Sequence, residues 1–120
     1  MEELQKNVKY HTLRTLECIS SVDALLMYKK DVPFVHVGQE LLAQCETIER
    51  CLTWDWFMDF WTDAQMLALE EFVDVYSTTS DMYNQYMPDV PELLEDKRWL
   101  HFMRKTKELL LTIGESTKRP

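Results

Sequence analysis

Apolar residues recur at every third or fourth position through most of this chain, and that period leaves little room for any fold not made of helices. The cleanest run is Phe34, Val37, Leu41, Cys45, Ile48 and Leu52, which lays one apolar stripe along a single helix. Glycine, the residue that many tight turns need, occurs twice in 120 residues, while 46% of the chain is apolar. Such a composition has too few turn-formers for a many-stranded sheet and too many core-formers for disorder. The length suits one hydrophobic core, so the sequence predicts a single all-α domain over residues 1–120, with the tail 115–120 frayed.

Punctuation divides the chain into a bundle of about four main helices. The first reads over residues 4–30, with Leu4, Val8, Leu16, Ile19, Val22 and Leu26 near one stripe, and Asp31-Val32-Pro33 breaks it. The Phe34 to Leu52 run is the second. Residues 53–61, TWDWFMDFW, either extend that helix or form a packed connection. Thr62 and Gln65 have capping-box spacing, and Trp61 and Met66 stand where a hydrophobic staple would close, so a third helix begins near Asp63. Its main stripe is Met66, Leu69, Val73, Tyr76, Tyr83 and Met87, ending at Pro88, and Leu67, Val75 and Met82 form a second stripe on roughly the opposite side. Two apolar sides on one helix predict a packing partner for each, and the aromatic excess in residues 54–61 points the same way, to an obligate homodimer or higher homo-oligomer. Asp89 and Glu92 repeat a capping arrangement around Pro91. A fourth helix follows through Leu93, Trp99, Leu100, Phe102, Met103, Leu109, Leu110 and Ile113, stopped by Gly114.

Charge is distributed unevenly. Residues 1–30 carry a net charge of +1, residues 31–96 a net −14 with Arg50 as their one basic residue, and residues 97–120 a net +5. The acidic middle repels a nucleic acid backbone and attracts cations or basic protein surfaces, so nucleic acid is not an expected partner. No apolar run approaches the roughly 18 residues of a membrane span, and MEELQKNVKY has charges where a signal peptide would be apolar, which predicts a cytoplasmic protein without a membrane partner. Cys18, Cys45 and Cys51 lack paired zinc or redox spacing and read as reduced core residues. His11, His36 and His101 have no acidic residue three positions before them and read as surface or boundary histidines.

The residues left for chemistry are carboxylates. Glu46 and Glu49 form an E-x-x-E pair on the second helix, and Glu71 and Asp74 form an E-x-x-D pair on the third. Each i, i+3 pair shares a face of its own helix, and antiparallel neighbouring helices would bring the two pairs together. Four converging carboxylates would hold Mg²⁺, which prefers hard oxygen donors and keeps waters for exchange with phosphates. Chance also produces such pairs in a chain with twenty-one acids: Asp89 with Glu92 and Glu92 with Glu95 are two more.

E46-T-I-E49 followed by E71-F-V-D74 resembles the hallmark of the all-α nucleoside triphosphate pyrophosphohydrolase superfamily, which includes the MazG-like proteins and the all-α dUTPases. LEEFVDV at 69–75 is similar to that family's second motif, and W54-D-W-F57 resembles the tryptophan-rich segment of all-α dUTPases. The resemblance covers roughly residues 40–87. It implies a helical fold, dimeric or higher, with Mg²⁺ or Mn²⁺ on catalytic Glu46, Glu49, Glu71 and Asp74, cleaving a nucleoside triphosphate to monophosphate and pyrophosphate. Under it, Trp54, Trp56, Phe57 and Trp61 are candidates to stack a base, although two or three of these four are expected in the core or a dimer interface. Lys97, Arg98, Arg104, Lys105 and Lys107 are candidates to meet phosphate oxygens.

Two other readings compete. An acidic helical interaction protein, binding a basic partner or mimicking nucleic acid charge, accounts directly for the net −14 segment. A bundle that takes a peptide or helix in a groove would use Met66, Met82, Met87 and Met103 as adaptable contacts.

Overall fold

The computed structural model describes residues 2–115. Among them are six α-helices, one 3-10 turn and no strand: α1 (Glu2–Ile19), α2 (Val22–Asp31), α3 (Val37–Cys51), α4 (Asp55–Met58), α5 (Asp63–Met82), the 3-10 turn Glu92–Glu95, and α6 (Lys97–Ile113). None of these helices is long and apolar enough to cross a membrane.

The predicted first helix is two helices. Ser20 and Ser21 interrupt it, and the Ser21 hydroxyl accepts from the Ala24 N–H as the N-cap of α2. Serine competes for backbone hydrogen bonds in this way, so an apolar stripe alone does not keep the helix running. Leu16, Ile19 and Leu25 are fully buried, whereas Val22 and Leu26 face solvent. Phe34 is 86% exposed and lies outside any helix, so α3 starts later than its apolar run suggests.

His36 begins α3. Its Nδ1 accepts from the Gln39 N–H and its Nε2 lies 3.0 Å from the Met87 carbonyl oxygen. That pattern assigns the neutral tautomer with the proton on Nε2. The capping box at α5 forms in both directions between Thr62 and Gln65. α5 ends at Met82 rather than at Pro88, and Tyr83 and Met87 are buried beyond its end. α6 is capped by Asp96, three residues after Leu93 in the 3-10 turn, and Gly114 closes it at φ 71°, a left-handed value that glycine adopts without strain.

α5 and α6 pack antiparallel. The Gln65 amide donates to the Ile113 carbonyl at one end (2.8 Å), and the Arg98 guanidinium donates to the Met82 carbonyl at the other (3.0 Å). Between them Phe72 stacks on Phe102 at 5.8 Å, and Trp99 meets Phe102 edge-on at 5.2 Å. α1 crosses against α6, and α3 packs beside α5 and α1. Cys18, Cys45 and Cys51 are free and buried, and burial raises all three thiol pKa values, which keeps them protonated.

Gly38 sits on the first turn of α3 under the loop that follows α5. A Cβ there would lie 2.5 Å from Met87 Cε and 2.9 Å from Leu93 Cδ2. Gly38→Val is therefore expected to destabilise by about 1–3 kcal/mol, the usual range for overpacking. Met87→Ala in the same chain should recover part of that loss, as read by urea denaturation. Strict additivity of the two substitutions would show that this contact does not set the cost.

Candidate functional site

Each carboxylate pair shares a face of its own helix, and helical geometry sets the two pairs on different sides of α5. Burial pushes the Tyr76 phenol above its ordinary pKa, and Cys45, Glu46 and Glu49 add to the shift, which places the α3 pair on the Tyr76 side of α5. At about 100° per residue, Glu71 and Asp74 stand roughly 140° and 160° around α5 from Tyr76. Asp74 instead borders a hollow of about 450 Å³ with Val75, Met82, Lys97, Arg98 and His101. All four carboxylates are exposed. Glu46 already holds Arg50 at 2.6 Å, the one basic residue of the acidic middle. Among the described residues no group of three or more His, Cys, Asp or Glu side chains is arranged to hold a metal ion. Among the described residues Glu46, Glu49, Glu71 and Asp74 thus do not form one such group.

The aromatic candidates divide. Phe57 and Trp61 are buried in the core, Trp54 is 43% exposed, and Trp56 is half-buried, stacked on Trp54 with ring centroids 5.4 Å apart. Among the basic candidates, Arg98 is already engaged. Its guanidinium binds both Asp96 carboxylate oxygens, donates to the Met82 carbonyl and lies 4.3 Å from the Tyr83 ring centroid. That guanidinium in turn holds the Asp96 carboxyl below the usual carboxylate range, and burial pushes the Tyr83 phenol up to about 12. Arg98 therefore ties α6 to the end of α5. Lys97, Arg104 and Lys107 are exposed, and Lys105 is partly covered and 3.7 Å from Glu108.

The outer side of α5 carries Asp63, Glu70, Glu71, Asp74 and Asp81, all exposed. None of the five side chains has an ion pair or hydrogen bond among the described residues. The second apolar stripe predicted for this helix lies on the same outer side: Leu67 is 67% exposed, Met82 47%, and Val75 half-buried. Val75 packs against the edge of the core, whereas Leu67 and Met82 stand out in solvent with the carboxylates beside them.

Sequence reasoning missed a groove of about 940 Å³ between α1 and α3, closed at one end by α2 and bordered at the other by Trp54. Leu41 and Ile48 form its floor, and the Thr15 hydroxyl donates to Gln44 Oε1 across it at 2.9 Å. Its charged lining residues, Arg14, Asp31 and Glu40, are exposed. The signal for the groove was small and polar residues, Thr12, Thr15 and Thr47, where larger apolar ones would have drawn the helices together. None of Glu46, Glu49, Glu71 and Asp74 borders it.

Comparison with protein-family models, curated proteins and solved structures finds no match to this chain.

Proposed function

We propose that this chain is a non-catalytic helical interaction module that presents the acidic outer side of α5 to a basic protein surface. The observation that carries this reading is the set of five exposed carboxylates on one side of α5, unpaired among the described residues and flanking exposed Leu67 and Met82. Clustered like charges repel one another in the free chain, and a basic partner relieves that repulsion. An apolar contact in their midst adds burial that charge alone does not supply.

The test uses a fluorescent lysine- and arginine-rich peptide and the full chain. Anisotropy should show binding that weakens steeply with salt and drops at least about tenfold in Glu70→Gln/Glu71→Gln/Asp74→Asn. Equal binding by that variant and the wild type would sink the proposal.

The nucleotide pyrophosphohydrolase reading stands as a second proposal, favoured by E-x-x-E and E-x-x-D on helices that pack side by side. It requires a second copy, or a rotation of α5, to unite Glu46 and Glu49 with Glu71 and Asp74. Trp54 and Trp56 would then stack the base, and Lys97, Arg104 and Lys105 would meet phosphates. Mg²⁺- or Mn²⁺-dependent pyrophosphate release from a nucleotide panel, lost in Glu49→Gln and in Asp74→Asn, would replace the interaction module with this enzyme.

A further inference from the structure

We propose that the face shared by α5 and α6 is where a second copy of this chain docks, with the acidic side of α5 set on the basic side of the partner's α6. The inference rests on reading the α5 carboxylates as an interaction surface, and it names the basic surface they meet.

The two charged surfaces lie side by side on one face. Asp74 and Met82 of α5 border the same hollow as Lys97 and His101 of α6. On α6 the outer side reads Lys97, His101, Arg104 and the partly covered Lys105, with Glu108 3.7 Å from Lys105 as the one carboxylate among them, and Arg104 donates to the His101 ring at 3.0 Å rather than meeting a carboxylate. One face therefore carries a negative helix and a positive helix, antiparallel and adjacent.

Such a face is complementary to itself in one orientation only. A two-fold axis lying across the helices would put α5 on α5 and α6 on α6, like charge on like. A two-fold axis lying along them puts α5 of each copy on α6 of the other, twice over, as an isologous interface requires. The antiparallel register fixes the levels. Met82 meets Arg98 and Gln65 meets Ile113 within one chain, so Asp81 stands level with Arg98 to Trp99, between Lys97 and His101, and Asp74 level with Lys105. An axis parallel to the helices keeps those levels. Asp81 then comes against Lys97 or His101 of the second copy, Asp74 comes against Lys105, and Leu67 and Met82 are covered.

A helix of 20 residues is about 30 Å long, so a two-helix face offers roughly 600 Å² per copy, about 1,200 Å² in all and near the lower bound for a specific interface. The expected dimer is reversible and salt-sensitive.

Sedimentation of the full chain over a wide concentration range, at low and high salt, tests the proposal. Wild type should pass from monomer to dimer as concentration rises and shift back toward monomer in high salt. Asp74→Lys/Asp81→Lys should be monomeric, as should Lys97→Glu/Lys105→Glu, and their mixture should form a heterodimer. The chain bearing all four substitutions should dimerise again, which only the α5-on-α6 arrangement allows. Circular dichroism checks that each variant, changed at surface positions, keeps its helices. A wild type that stays monomeric throughout, or a dimer indifferent to both variant pairs, overturns the inference. If the monomeric wild type still binds the basic peptide, the docking proposal falls and the interaction module stands; if it binds neither, both fall.

Discussion

Phe102→Ala is expected to lower the thermal midpoint by about 12–20 °C. Phe102 has no exposed surface, stacks on Phe72 and receives the edge of Trp99, so it joins both helices of the α5–α6 pair through aromatic contact. Truncation removes the transfer free energy of the ring and leaves a cavity that two rigid neighbours cannot fill, which together cost about 3–5 kcal/mol. A chain of 120 residues unfolds with an entropy near 0.25 kcal/mol per degree, and that converts the cost into the stated shift. Melting followed by far-ultraviolet circular dichroism measures it. A drop of less than about 5 °C would mean that the α5–α6 core packs more loosely than these stacking distances imply.

The residues that were legible in the sequence owe their structure to neighbours within a turn or two. Thr62 and Gln65 form their capping box from spacing alone, Gly114 stops α6 because the chain there turns left-handed, and Val37, Leu41, Cys45 and Ile48 are buried as their period requires. Phe34 fits the same period yet stands in solvent, because the period cannot say where the first turn begins once His36 serves as the cap. The Ser20–Ser21 break was hidden for a related reason: two short polar residues in a long apolar pattern count little until their hydroxyls take backbone partners.

The candidate site shows the limit more clearly. Spacing of i, i+3 places Glu46 with Glu49 and Glu71 with Asp74 on their own helices, but it carries no information on which side of α5 meets α3. Tyr76, Val73 and Leu69 take that side, and this turns Glu71 and Asp74 away. For the same reason Leu67 and Met82 of the second stripe lie exposed within one chain, while Val75 packs against the edge of the core. α6 and α3 already pack against the other side of α5, which leaves Leu67 and Met82 at the surface, where the proposed second copy or basic partner would meet them.

The spacing of Asp89 and Glu92 predicts a local helix cap beside Pro91, but the Asp89 side chain works at long range. Its Oδ2 receives Lys29 at 2.6 Å from the end of α2, and its Oδ1 accepts from the Val37 N–H at the start of α3 at 3.0 Å and from the Val90 N–H at 2.7 Å. Lys29 also donates to the Pro33 and Val35 carbonyls at 2.8 Å each. One carboxylate thus holds the α2–α3 connection against the loop after α5. Asp89→Ala leaves an ammonium and the first N–H of α3 without their partner. The cost expected for losing such charge-assisted bonds at a three-quarters-covered side chain is about 2–3 kcal/mol, or about 8–12 °C in melting temperature. Burial by itself would raise the Asp89 pKa, but the bonds from Lys29, Val90 and Val37 outweigh it, and the folded-state value lies below the ordinary one. A lowered folded pKa gives stability that is fully present above the unfolded value of about 3.9 and is lost as pH falls through the folded value. The difference between wild type and Asp89→Ala should therefore be flat from neutral pH down to about pH 5 and shrink in stronger acid, because below its folded pKa the protonated side chain no longer forms an ion pair with Lys29. Denaturant titrations of both proteins across that range measure the difference directly, and the many other acidic residues, common to both, largely cancel. A gap that stays constant into strong acid would show that Asp89 acts through its shape and not through its charge.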